Sequence, residues 1–261
     1  MDRSDSNDSH EPASVPRCNW LCCITGDARY ATRDPIETLE IGVWFSEQAA
    51  TYDGLKRRIR EYVIRCFDFE FWTVDLSFGG PVAVGTEDGA RVTSRGEWPL
   101  QVGSGAISLG DIDPARHVNL LVTDGQMRVA PTGYGMPRIA SVGGARHIAV
   151  LESFDDVLET GPETAFPWTV PVTTRVRTMQ VLLHEIGHAL GLDHEHGAVV
   201  REDGIGIATP MLSTYAFGSD YAGEQSHCGS VYPVPESSQR ALSLSFSACS
   251  RRALAARAAD D

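Results

Sequence analysis

A chain of 261 residues is long enough to bury one full hydrophobic core, and 42% hydrophobic with 22% charged residues is an ordinary globular composition. No apolar run approaches the roughly 20 residues that cross a bilayer, so no membrane span is expected. The 35 acidic residues outnumber the 22 basic ones, and the net charge of -13 repels phosphate backbones, which argues against nucleic acid as a partner.

In chain order, residues 1–36 are rich in Ser, Asp, Asn and Pro without sustained periodicity, and read as a disordered or weakly packed lead-in to a domain over 37–261. The first 17 residues contain neither a basic nor an apolar region of the secretory kind, so the default compartment is the cytoplasm. The stretch LEIGVWF alternates Ile41, Val43 and Phe45 with Glu40, Gly42 and Trp44 and predicts a strand. Leu55, Ile59, Tyr62, Val63 and Cys66 then recur at helical spacing, and the β-branched and aromatic run from Glu70 to Phe78 predicts a second strand. A strand, helix and strand in this order predict a right-handed parallel unit.

Between Gly79 and Pro114 the many glycines predict loops with a minor hairpin. His117 to Asp124 predicts a third strand and Arg146 to Ser153 a fourth, separated by a Gly- and Pro-containing connection. Together these elements predict an α/β (α+β) fold with a mixed, twisted sheet. Past a Pro-punctuated loop, Thr173 and Thr174 are suitable N-caps for a helix through VRTMQVLLHEIGHAL that stops at Gly191, where a residue without Cβ can turn left-handed.

That helix carries the chemistry. His184 and His188, four residues apart, project from one helical face, where two imidazoles can converge on one ion. Glu185 lies one step around, placed to act as a general base on water without taking a coordination position. Gly191 lets the chain double back so that His194 adds a third nitrogen, and three histidines leave a tetrahedral Zn2+ with one open position, as in catalytic sites. His196 is a rival ligand that the spacing disfavours, and Asp193 and Glu195 are candidates to orient an imidazole or to remain solvated.

The run HEIGHALGLDH, His184 to His194, resembles the extended zinc-binding consensus of the metzincin metallopeptidases at every fixed position. The resemblance implies a zincin-like fold with a methionine turn beneath the metal, and Met211, 17 residues after His194 and directly after Pro210, stands where that methionine would be. It also implies a zinc-dependent peptidase, with Glu185 as its catalytic base and a peptide or protein as its substrate. An extended substrate would pair with an edge strand in the region Pro137 to Leu151. A zinc-binding interaction module without turnover is the alternative.

Glu195-His196 after the third ligand looks astacin-like, but Ser213 stands where astacins carry a tyrosine, and Tyr215, two residues on, is the candidate for stabilising an oxyanion. Pro16-Arg17-Cys18 matches three residues of the matrixin cysteine-switch segment, and archaeal metzincins differ in carrying cysteines directly after the third histidine. The six cysteines permit up to three bridges without requiring any. Finally, 21 of the 22 basic residues are arginine, a pattern that a high-salt medium or an arginine-favouring genome would each produce.

Overall fold

The computed structural model describes residues 36–126, 132–217, 225–226, 229–230 and 239–259. It opens as expected, with strand β1 (Thr38–Ser46), helix α1 (Leu55–Phe67) and strand β2 (Thr73–Val82). β1 and β2 pair in parallel, and Leu55, Ile59, Tyr62, Val63 and Cys66 form the buried stripe of α1. The next strand, β3 (Val118–Val122), lies parallel to β1 on its other side.

Here the structure corrects the sequence reading three times. Between Gly79 and Pro114 lie two short helices, α2 (Gly89–Ser94) and α3 (Glu97–Ala106), and β2 itself runs on to Val82. The glycines suggested loops, but Asp88 caps α2 through its side chain, and Val92, Trp98 and Val102 are buried against the sheet. Packing overrides weak helix propensity here. Trp98 meets Trp44 of β1 with ring centroids 5.5 Å apart, closing a second apolar layer on the face of the sheet opposite α1.

The second correction concerns Arg146 to Ser153, which begins as helix α4 (Ala145–Ala149) rather than as a strand. Gly144 enters it with φ +81, and Asp124 binds both the Arg146 amide and its guanidinium, which holds the first turn in place. Third, the connection before it contains a hairpin, β4 (Gly133–Met136) and β5 (Ile139–Val142). β5 is parallel to β3 and β4 antiparallel to β5, giving a mixed sheet of order β2-β1-β3-β5-β4. Among the described residues the edge strand beside α6 is therefore β4, whereas β5, the strand within Pro137 to Leu151, is interior.

Helix α5 (Phe154–Glu159) leads to β6 (Thr169–Pro171) and the long helix α6 (Thr174–Ala189). Beyond α6 come β7 (Val199–Glu202), β8 (Ile205–Ala208), the two-residue strands β9 (Gln225–Ser226) and β10 (Gly229–Ser230), β11 (Gln239–Ser243) and helix α7 (Ala248–Ala259). A second mixed sheet has order β6-β11-β8-β7. Nearly every apolar residue of α6 is buried in the principal core, so the helix lies in the interior between the elements before and after it. The fold is α/β with mixed sheets around a buried helix that bears two of the three motif histidines, the third following just past its end. Among the described residues no helix is long and apolar enough to cross a membrane.

Candidate metal centre

Helix α6 starts as its sequence suggests, with the Thr173 side chain accepting from the Val176 amide. Its end is a Schellman motif: the Leu192 amide donates to Gly187 O and the Gly191 amide to His188 O, with Gly191 at φ +86. The chain is thereby turned back across the last helical turn, and a 3-10 turn, His194–His196, follows at once.

The rotation of α6 is set by a row of polar side chains four residues apart. Buried Gln180 donates to Ala208 O and Ser243 O at 3.0 and 2.8 Å, tying the helix to β8 and β11. One turn on, His184 Nδ1 lies 2.8 Å from Pro210 O, and after another turn His188 Nδ1 lies 2.8 Å from Leu192 O. A carbonyl can only accept, so both Nδ1 atoms carry the proton and both Nε2 atoms keep a lone pair. Those two Nε2 atoms face each other at 3.0 Å. Lone pairs so placed repel unless a cation lies between them, and two ligands about 2.0–2.1 Å from a tetrahedral ion stand about 3.3 Å apart.

His194 completes the group. Its ring centroid is 5.1 Å from those of both His184 and His188, and one nitrogen from each of the three histidines falls within 4.8 Å of the others. Burial pushes the His184 imidazole down to about 3, with further lowering from His188. Burial lowers His188 and His194 as well. All three are therefore neutral imidazoles near pH 7, the form that ligates a metal. The donor set, its tautomers and its spacing fit a transition-metal ion.

Glu185 is 5% exposed and lies against β4, and burial pushes its carboxyl up to about 8. Met211 is fully buried under the helix, where a Cβ on Gly187 would overlap its sulfur. Pro210, just before it, supplies the carbonyl that orients His184, so this turn both packs beneath the centre and sets the tautomer of that imidazole. His196 does not join the three histidines: its Nδ1 accepts from the Asp193 amide, while Asp193 accepts from the Glu195 amide to cap the 3-10 turn. Tyr215 belongs to the turn Ser213–Phe217, but its side chain, like Cys18, lies outside the described residues.

No protein-family model matches the chain, and no match is found among curated proteins. Among solved structures, an archaemetzincin from Methanopyrus kandleri is similar at 14% sequence identity and a TM-score of 0.40, covering 83% of this chain and 94% of that one. At that distance the functional reading rests on the geometry of the centre itself.

Sequence reasoning missed four contributors: Gln180, the carbonyls of Leu192 and Pro210, and helix α7. Gln180 had a signal, since Gln180, His184 and His188 form a polar row, spaced four apart, on a helix whose stretch from Met179 to Ala189 carries only Glu185 as a further polar side chain. The carbonyls had none, because every residue carries one. Ser247, just before α7, and Ser250 on it donate to His196 O at 2.5 and 2.9 Å, and Arg257 of α7 donates to Leu190 O, so the turn bearing His194 is held at both ends.

Proposed function

We propose that this chain is a zinc-dependent metallopeptidase, with residues 37–261 as its catalytic domain. The observation that carries the reading is the pair of Nε2 lone pairs 3.0 Å apart, backed by carbonyls and joined by His194, with a carboxylate, Glu185, next in sequence to a ligand. His184, His188 and His194 would hold the metal. Bound there, zinc supplies a Lewis acid that acidifies water and polarises a carbonyl.

The chain's own part falls to Glu185. The burial that raises the pKa of this carboxyl would be offset by a cation held on the adjacent imidazoles. In its ionised form the carboxylate takes the proton of the attacking water and returns it to the departing amine, so one group is base and then acid. Gly191 provides the reversal that brings in the third ligand, and Met211 fills the space beneath. The substrate is a peptide or protein lying extended along β4, which among the described residues pairs only with β5 and so offers a free edge.

The test is elemental analysis together with casein cleavage on wild type and Glu185→Gln. One zinc per chain is expected in both, with cleavage reduced in the variant by about 10²–10⁴-fold, the usual worth of a positioned acid–base group. One zinc in both with no cleavage by either would establish a zinc-binding interaction module instead. Absence of zinc from the wild type would overturn the reading.

A further inference from the structure

Strand β4 alternates two glycines with two large side chains. Tyr134 and Met136 are exposed, while Gly133 and Gly135 turn toward α6. A strand interior is a costly place for glycine, by roughly 0.5–1 kcal/mol relative to alanine, so a pair on one face calls for a reason. Backbone conformation is not that reason, because neither is among the residues with positive φ. Space is. A Cβ at Gly133 would lie 2.8 Å from Glu185 Cγ and 2.9 Å from its Cδ, and closer still to Oε1. A Cβ at Gly135 would lie 2.5 Å from His188 Cβ and 2.7 Å from the Glu185 carbonyl oxygen.

We infer that Gly133 and Gly135 are positioning residues with separate duties: Gly133 sets where the Glu185 carboxylate stands, and Gly135 sets how closely β4 approaches the helix at the ligand His188. The neighbours differ in kind. The carboxylate at Gly133 ends a flexible side chain, so a methyl group there displaces the base and leaves the helix in place. At Gly135 the obstacles are a backbone carbonyl and the first carbon of a ligand, so a methyl group must separate strand from helix. The first change reaches the proposed chemistry without the metal, and the second reaches the metal. The turnover arm rests on the peptidase reading, while the arms on stability and zinc affinity stand without it.

The experiment compares Gly133→Ala, Gly135→Ala, Glu185→Ala and the double variant Gly133→Ala/Glu185→Ala in the full chain. Zinc affinity is read by chelator competition, thermal midpoint by calorimetry, and kcat and KM on casein. For Gly133→Ala the zinc Kd should stay within about twofold of wild type while kcat falls about 100-fold at unchanged KM, the scale of a displacement near 1 Å. For Gly135→Ala the zinc Kd should weaken about tenfold or more.

Gly133→Ala should also lower the thermal midpoint of wild type by about 2–4 °C. In the Glu185→Ala background it should not lower it at all, because the methyl then enters vacated space. An equal drop in both backgrounds, or unchanged kcat and midpoint in Gly133→Ala, would overturn the role of Gly133. Unchanged zinc affinity in Gly135→Ala would overturn that of Gly135. If zinc-loaded wild type cleaves nothing, the peptidase reading fails, and the thermal coupling and zinc affinities still decide this one.

Discussion

Asp124, two residues past the end of β3, is a carboxylate whose side chain is completely buried. It accepts from Arg146 Nε at 3.0 Å, Tyr52 Oη at 2.7 Å, Gln48 Nε2 at 3.0 Å and the Arg146 amide at 3.0 Å, so its negative charge is fully partnered. Burial by itself would raise its pKa, but the hydrogen bonds from Arg146 and Tyr52 outweigh it and hold the carboxyl below its usual value. A depressed folded-state pKa means that the ionised form stabilises the fold. That contribution is complete above the ordinary value of 3.8 and is lost as pH falls from there through the depressed value. Asp124→Asn should cost roughly 2 kcal/mol in urea unfolding at pH 7, the worth of hydrogen bonds to a buried charge discounted because Arg146 is half exposed. Measured on metal-free protein, the gap between variant and wild type should close below pH 3.8. A gap independent of pH would show that the charge contributes nothing. None of this was legible in the sequence, because the partners stand 22, 72 and 76 residues away.

At the scale of elements, α6 and α7 divide the work of presenting three candidate ligands. Two of the three imidazoles come from one rigid helix, and the third from a turn that is fixed from outside by α7. Ser250, fully buried, contributes one of the two hydroxyls on His196 O. Ser250→Ala should therefore weaken zinc binding about tenfold in a chelator competition, with far-ultraviolet dichroism unchanged, since it loosens one ligand of three. Unaltered affinity would mean that the Ser247 hydroxyl, Arg257 and the Schellman turn hold His194 without Ser250. Cys249 in the same helix is disulfide-bonded, whereas Cys66 is free, buried and pushed well above the usual thiol range by that burial. Helix α6 was legible from its cap, its motif and its stop, all local signals. Helices α2 to α4 and the β4–β5 hairpin were not, for they are short and either contain glycine or, as α4, follow one directly, and their state is decided by what Trp98, Ile148 and Ala140 bury against.

Across the whole molecule, a charge of -13 carried by carboxylates facing arginines makes salt a variable of the fold. Raising ionic strength from about 0.1 to 1 M shortens the screening length from about 10 to 3 Å, which relieves net repulsion more than it weakens pairs with one buried partner, such as Asp124–Arg146. The thermal midpoint in potassium chloride should rise by several degrees over that range, and a flat or falling midpoint would leave codon usage as the account of the arginine content. The sequence by itself determined the candidate ligands, the reversal at Gly191 and the candidate base, because these depend on spacing along one helix and its immediate exit. Tertiary structure alone decided which carbonyls set the imidazole tautomers, which helix holds the third ligand and which strand lies over Glu185. Those contacts join residues far apart in the chain, and hydrogen bonds to backbone leave no mark on residue identity.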